Sequence, residues 1–277
     1  MELEERIQTP LGVTLALRTV GEGPPVLFIP SLGRNVADFD DLAARTARAG
    51  YLALLPQPRG IGGSAGPAPT DLFDLARDVV AVIEHASAGP AHLVGHAFGN
   101  RVARAAAALR PDLAASIVLL AGGGASPPTP EVRDAVRGAT RQGLKPDVQR
   151  LEDLALAFFA AGHDPRVWLG GWFPAAAEAQ VAAGTATDTA RWWAAGPEAP
   201  VLLVQALEDP VAPPGNAEAL SRAIGERLRL VRLAHASHAI LPEQPRAVAA
   251  TLIAWFRGER NAATLQTLMD AETLTPG

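Results

Sequence analysis

The sequence contains no cysteine among its 277 residues, which excludes disulfide bonds, thiolate metal ligands and a cysteine nucleophile. It also lacks an excess of positive charge, because 24 lysines and arginines against 29 aspartates and glutamates give a net charge of −5. A nucleic acid or an anionic membrane needs a basic face, so we expect neither as a partner. No apolar run reaches the roughly 18 residues of a membrane-spanning helix. The N-terminal residues are acidic and show no apolar signal region, which predicts a cytoplasmic protein.

The composition is typical of a folded globular protein. Hydrophobic residues make up 48% of the chain and charged residues 19%, so the chain can bury a large core without cross-links. A chain of this length forms one large α/β domain or one such domain with an insertion. The sequence leaves the oligomeric state open.

Segments with strand and helix patterns alternate along the chain. Strands are predicted at residues 7–9, 12–20, 25–30, 51–56, 91–95, 116–120, 200–206 and 228–233. Helices are predicted at residues 38–49, 98–109, 216–223 and 243–256, and in a long segment that begins near residue 70. We expect Asp38 and Thr70 to cap the first two helices. This order predicts an α/β fold with a mostly parallel central sheet covered by helices on both faces.

The alternation is interrupted between residues 126 and 196, where prolines and helical patterns occur without a strand candidate. We therefore predict a core domain formed by residues 1–125 and 197–277, with residues 126–196 as a helical insertion. Four of the five tryptophans lie in this insertion. They either form its own core or cover an apolar pocket, and the candidates for the pocket are Trp168, Trp172 and Trp192.

The most informative motif is Gly95-His96-Ala97-Phe98-Gly99, where a predicted strand leads directly into a helix. Glycines two residues before and two residues after the central position are typical of a nucleophile elbow, because the sharp turn crowds the neighbouring backbone. The central residue lies at a helix N-terminus, where the amide dipoles stabilise negative charge. A working elbow carries serine at this position. Here the residue is Ala97, whose methyl group cannot attack a carbonyl carbon.

With this motif and two later segments, the sequence resembles the α/β-hydrolase superfamily over nearly its whole length. Asp209, in LEDPVAPP, follows the strand at 200–206, and His238, in HASHAILPEQP, follows the strand at 228–233. The order of elbow, acid and histidine is that of the family. The resemblance implies that Asp209 and His238 are the acid and the histidine of a catalytic triad, and that the insertion is the family's cap.

The resemblance also implies an oxyanion hole formed by the backbone amides of Phe98 and Leu32. The loop that holds Leu32 departs from the family, because Pro30-Ser31 stands where a histidine-glycine pair is usual. Ser31 would lie beside the oxyanion donors and is a candidate pocket residue. The implied activity is hydrolysis of a small apolar ester, lactone or amide, without a cofactor or a metal ion.

Two interpretations of Ala97 remain open at this stage. Either it replaces the serine of a serine hydrolase, or it is the native residue of an enzyme that uses the remaining His–Asp pair. Loss of a triad serine typically lowers turnover about a million-fold. A His–Asp pair can still activate water, or remove a proton from an acidic substrate in lyase or oxygenase chemistry. A protein that only binds a ligand in the pocket is the third alternative.

Two further residues, His96 and Arg34, lie near these motifs but are not expected to take part in catalysis. His96 precedes the apex of the turn, and we expect it to pack in the interior. Arg34 follows the predicted oxyanion loop and could bind an anionic group, but we expect it to lie in solvent.

Overall fold

The computed structural model describes residues 2–141 and 145–275. These residues form one eight-stranded sheet, with strands in the order β1-β2-β4-β3-β5-β6-β7-β8. The strands are β1 (Glu2–Gln8), β2 (Thr14–Val20), β3 (Pro25–Ile29), β4 (Leu52–Pro56), β5 (Ala91–His96), β6 (Ala114–Leu120), β7 (Val201–Ala206) and β8 (Leu228–Leu233). The pairs β1–β2 and β2–β4 are antiparallel, and the other neighbours pair in parallel. The predicted mostly parallel sheet is confirmed.

Helices cover both faces of the sheet. They are α1 (Asp40–Arg48), α2 (Leu72–Ala86), α3 (Phe98–Leu109), α4 (Pro130–Thr140), α5 (Asp147–Phe158), α6 (Pro174–Thr185), α7 (Gly215–Ile224), α8 (Ile240–Glu243), α9 (Pro245–Phe256) and α10 (Ala262–Glu272). Helices α2, α3 and α7 share one hydrophobic cluster with the sheet, and α1, α9 and α10 share the cluster on the opposite face. No helix in the described ranges is long and apolar enough to cross a membrane.

The central strands are buried on both faces because their sequences are continuous apolar runs. In β3, Leu27 and Ile29 belong to one hydrophobic cluster, whereas Val26 and Phe28 belong to the other. This division follows from the two-residue period of a strand, which sends successive side chains to opposite faces. Continuous apolar sequence is therefore the signal of a doubly covered strand.

The two predicted helix caps are displaced in the structure. Asn35 caps a short 3-10 turn at Val36–Phe39, and α1 begins only at Asp40, so the prediction for Asp38 is wrong. The N-cap of α2 is Asp71, whose carboxylate accepts a hydrogen bond from the Asp74 amide. Thr70 instead donates its hydroxyl to the Asp74 carboxylate. A carboxylate is the stronger acceptor for helix amides, so Asp71 takes the capping position.

The C-terminal segment forms α10. Leu265 and Met269 are fully buried against the face of the sheet that α1 and α9 cover. These two apolar residues, four positions apart, lie on one side of the helix, and Gln266 also pairs with the main chain of Arg232 in β8.

Two glycines permit a close crossing of α3 over the sheet. A Cβ atom added to Gly99 would lie 2.2 Å from the carbonyl oxygen of Ile29, at the end of β3. A Cβ added to Gly95 would lie 2.4 Å from the carbonyl oxygen of Gly99. Both contacts are with backbone atoms, which cannot move aside as a flexible side chain could. The spacing of the motif therefore reflects the packing of the turn, whatever residue stands at position 97.

We expect Gly99→Ala to destabilise the protein by about 3 kcal/mol or more, because the added methyl group must displace the backbone at the end of β3. For a chain of this size, the melting temperature should fall by about 6 °C or more. Thermal unfolding monitored by circular dichroism measures the change. The control is Gly170→Ala, since a Cβ at Gly170 meets no atom within 4 Å. Equal melting temperatures for the two variants would contradict the packing argument.

Candidate active site

The backbone at the motif forms a sharp turn at a single residue. Ala97 alone separates β5 from α3, and it has φ +48° and ψ −109°. For a residue with a side chain, such a conformation costs about 1–3 kcal/mol. Hydrogen bonds hold it in place: the Ala97 amide donates to the Leu120 carbonyl of β6 at 3.0 Å, and its own carbonyl accepts from the Asn100 amide at 3.2 Å. The Asn100 side-chain amide donates to the same carbonyl.

The structure brings His238 and Asp209 together at the carboxyl edge of the sheet. Asp209 follows β7 and His238 follows β8, and these strands are parallel neighbours, so their loops meet at one edge. Nδ1 of His238 lies 2.9 Å from Oδ2 of Asp209. Oδ1 of Asp209 accepts the backbone amides of Val211 and Ala212, each at 2.8 Å. These three bonds fix the carboxylate and assign the proton of His238 to Nδ1.

The assignment leaves Nε2 of His238 with a lone pair. Nε2 has no hydrogen-bond partner among the described residues, and His238 lines the same cavity as Ala97. An unpartnered imidazole nitrogen that faces a cavity can accept a proton from a molecule bound there.

His96 supports the histidine loop through a hydrogen bond. It is fully buried, and its Nε2 lies 2.8 Å from the backbone carbonyl of His238. Because a carbonyl can only accept, His96 carries its proton on Nε2. Burial, together with the neighbouring His238, lowers the pKa of His96 to about 3, so it is neutral at pH 7. His96 is therefore packed as expected, and it also holds the main chain of residue 238.

Two backbone amides at the site have no acceptor among the residues that the structure describes. They belong to Phe98, the first residue of α3, and to Leu32 in the loop after β3. Both residues line the cavity with Ala97 and Ser31. The Leu32 loop is fixed to the inserted segment, because the Gly33 amide donates to Gln180 Oε1 of α6 at 2.8 Å.

The cavity at this site has a volume of about 390 Å³ and mostly apolar walls. The core contributes Ser31, Leu32, Ala97, Phe98, Arg101, Ala121, Val211, Ala212 and His238, and the segment between β6 and β7 contributes Gly123–Pro128, Val136, Thr140, Phe158, Trp172, Val181 and Thr185. Among the described ranges, no group of three or more histidine, aspartate or glutamate side chains converges as metal ligands would.

Of the three tryptophans expected at the pocket, the structure places only Trp172 on the cavity wall. Trp168 packs behind it, with ring centroids 5.8 Å apart, inside the small core of the inserted segment. Trp192 lies in the hydrophobic cluster that α2, α3 and α7 share with the sheet. The centroid of its ring lies 4.6 Å from the guanidinium carbon of Arg104. The expectation for Trp168 and Trp192 is thus not met, because the cores of the insertion and of the sheet take up their rings.

Arg34 is buried, so the prediction that it lies in solvent is wrong. Its Nε donates to Asp38 at 2.8 Å, and its Nη1 donates to the Gly170 carbonyl at 2.7 Å. The guanidinium also lies 4.7 Å from the Trp168 ring centroid and 4.6 Å from that of Trp172. The ion pair and the two aromatic faces offset the cost of burying the charge. Arg34 therefore fastens the inserted segment to the loop after β3.

Sequence reasoning missed Glu243, which joins the histidine loop to the inserted segment. Its Oε1 accepts the Ala160 amide at 2.6 Å, and its Oε2 accepts the Ser237 amide at 2.7 Å. Burial raises the pKa of Glu243 to about 7, against the lowering effect of these two hydrogen bonds. The sequence gives no signal for this role, because both of its partners are main-chain amides.

Comparison with known proteins identifies the family of the chain. A family model described as the alpha/beta hydrolase fold matches residues 24–245. The 2-(acetamidomethylene)succinate hydrolase of Mesorhizobium japonicum is 31% identical over 157 residues, which are 56% of this chain and 54% of that protein. The chain thus matches about half the length of this relative.

Solved structures show the same fold. The crystal structure of E-2-(acetamidomethylene)succinate hydrolase superposes with a TM-score of 0.74 at 24% identity, over 93% of this chain and 100% of the other. An esterase from Thermogutta terrifontis gives a TM-score of 0.74 at 24% identity, over 92% and 98% of the two chains.

The raised pKa of Glu243 predicts a pH-dependent stability. In the folded state the Glu243 carboxyl keeps its proton up to about pH 7, whereas in the unfolded chain it ionises near its ordinary pKa of 4.5. Between these values the folded state binds more protons, so raising the pH lowers the free energy of unfolding. We expect the stability of the wild type, relative to Glu243→Gln, to fall by up to about 3 kcal/mol between pH 5 and pH 8.

Urea unfolding of both proteins at several pH values measures this difference. The control is Glu152→Gln, at an exposed position on α5. If the difference between wild type and Glu243→Gln stays constant over this pH range, the carboxyl does not titrate as argued.

Proposed function

Because the chain belongs to the α/β-hydrolase family, we propose that it hydrolyses small apolar esters, lactones or amides by general-base attack of water. One observation carries the proposal. His238, which is hydrogen-bonded to Asp209, lines the cavity at Ala97 together with Leu32 and Phe98, whose backbone amides have no acceptor among the described residues, although position 97 carries no nucleophile. These are the groups that water attack on a carbonyl requires.

In the proposed reaction, Nε2 of His238 takes a proton from a water molecule as its oxygen bonds to the carbonyl carbon. Asp209 keeps Nδ1 protonated and stabilises the imidazolium that forms. The imidazolium then gives its proton to the departing alcohol oxygen or amine nitrogen as the carbon–heteroatom bond breaks. The products are a carboxylic acid and an alcohol or amine, and no acyl-enzyme intermediate occurs.

The amides of Leu32 and Phe98 would stabilise the negative charge on the carbonyl oxygen. Neither amide has an acceptor within residues 2–141 and 145–275, and Phe98 lies at the N-terminus of α3, where the helix dipole favours negative charge. Loss of one such donor typically costs about 3 kcal/mol of transition-state stabilisation. The methyl group of Ala97 leaves the space of a serine hydroxyl, where the attacking water would lie.

The segment between β6 and β7 would act as a cap over the reacting groups. Phe158 and Trp172 from this segment line the cavity, and the Phe158 ring lies 5.7 Å from the His238 ring between centroids. Apolar walls exclude bulk water and select an apolar substrate body. The proposed domain division is accordingly a core of residues 1–125 and 197–277 with the cap at 126–196.

Hydrolysis of p-nitrophenyl butyrate in ¹⁸O-labelled water tests the mechanism. We expect the wild type to turn over slowly, to place one labelled oxygen in butyrate and to show no acyl adduct by intact-protein mass spectrometry. His238→Ala should lower kcat about 100-fold or more, because the base is lost. The control is His85→Ala, which changes an exposed histidine on α2.

Other outcomes would identify the alternatives. If only Ala97→Ser hydrolyses the ester, with a burst and labelling by a fluorophosphonate, the machinery serves serine chemistry and the water mechanism is wrong. If the wild type retains full turnover after His238→Ala, His238 is not the base. Tight ester binding without product, unchanged in His238→Ala, would instead identify a ligand-binding protein.

A further inference from the structure

Arg101 introduces a positive charge into the otherwise apolar cavity. It lies on α3, four residues after Ala97, and lines the cavity with Val181 and Thr185 of α6. Apart from His238, it is the one residue of a titratable type on the described cavity wall, and no aspartate or glutamate is part of that wall. Any molecule bound in the cavity is therefore exposed to an unbalanced cationic field.

No group of the described part of the protein neutralises Arg101. Its guanidinium makes neither an ion pair nor a hydrogen bond there, in contrast to the buried Arg34 and Arg59, which pair with Asp38 and Asp78. The centroid of the Trp192 ring lies 5.9 Å from its guanidinium carbon. Burial lowers the pKa of Arg101, but a guanidinium remains charged at pH 7. Arg101 is half-buried, so water hydrates it only in part, and the natural complement of such a cation is an anion.

The neighbouring Arg104 does not supply the missing partner but adds to the positive field. It lies almost one turn further along α3, stacks on Trp192 and Trp193, and donates to the Gly123 carbonyl at 2.9 Å. Among the described residues it too lacks an ion pair, and burial, with the charge of Arg101, lowers its pKa. Arg104 is therefore held by the protein, whereas Arg101, on the cavity wall, has no hydrogen-bond or ion-pair partner in the described part of the chain.

We propose that Arg101 binds a carboxylate of the substrate, so that the cavity selects an apolar molecule that carries one anionic group. The inference rests on the proposed function only for the position of the reacting carbonyl, between His238 and the amides of Leu32 and Phe98. Four residues, or about 6 Å along the axis of α3, separate Arg101 from Ala97 at the N-cap. This separation suits a carboxylate a few methylene groups from the carbonyl, and the fork of the guanidinium suits bidentate recognition.

Two slowly hydrolysed amides of equal length test the proposal by equilibrium binding. Glutaranilic acid carries a carboxylate three methylene groups from its amide carbonyl, and pentananilide ends in a methyl group at that position. Isothermal titration calorimetry at pH 7.5 should give at least ten-fold tighter binding of glutaranilic acid to the wild type. Arg101→Gln should remove this preference, and a thermal unfolding transition like that of the wild type, monitored by circular dichroism, verifies that the variant is folded.

Two further variants complete the test. Arg101→Lys keeps the charge but loses the fork and should retain a smaller preference. Arg133→Gln, an exposed arginine on α4, should retain the full preference. If the wild type shows no preference, whether both amides bind alike or neither binds, the proposal is wrong. A preference that survives Arg101→Gln also overturns it.

Binding and turnover separate this inference from the proposed reaction. If the wild type prefers glutaranilic acid but produces no labelled butyrate, the water mechanism is wrong and the carboxylate site is supported. If the wild type produces labelled butyrate but shows no preference for glutaranilic acid, the water mechanism is supported and the carboxylate site is wrong.

Discussion

The close crossing of α3 over the end of β3 is the constraint on which the site depends. It is possible only because Gly95 and Gly99 present no side chain to the main chain they cross. The crossing forces the chain to pass from strand to helix at one residue, and Ala97 therefore adopts its positive φ. This turn leaves the Phe98 amide without an acceptor among the described residues. It also places the N-terminus of α3 at the cavity.

Sheet topology supplies the other groups. In the order β3-β5-β6-β7-β8, the loops that carry Leu32, Ala97, Asp209 and His238 each follow a parallel strand, so all four lie at one edge. Hydrogen bonds then fix the loops locally, as between His96 and the main chain of His238. Residues more than one hundred positions apart thus meet because parallel strands end together, which is also why ligands bind at this edge in open α/β sheets.

These two constraints explain which features the sequence could predict. Strands such as β3 were predictable because continuous apolar runs are required by burial on both faces. The positions of Ala97, Asp209 and His238 were predictable because each lies in the turn or loop at the carboxyl end of a predicted strand. The places of Trp192, Arg34 and Glu243 were not, because they depend on how the inserted segment packs on the sheet. The contacts in that packing do not recur at a regular spacing along the sequence. The partners of Glu243 are main-chain amides, which any residue type except proline can supply, so the sequence does not reveal them.

The strain at Ala97 is informative because alanine has no functional group to present. In a serine hydrolase the cost of the turn is offset by a correctly placed hydroxyl. In this chain the same turn leaves the Phe98 amide without an acceptor among the described residues, and Ala97 and Phe98 line one cavity with His238. Both features are what a reaction of water with a bound carbonyl needs, since the oxyanion and the attacking oxygen require separate, fixed positions. The elbow can therefore serve chemistry without a nucleophile of its own, and this is the physical basis of the function proposed for the chain.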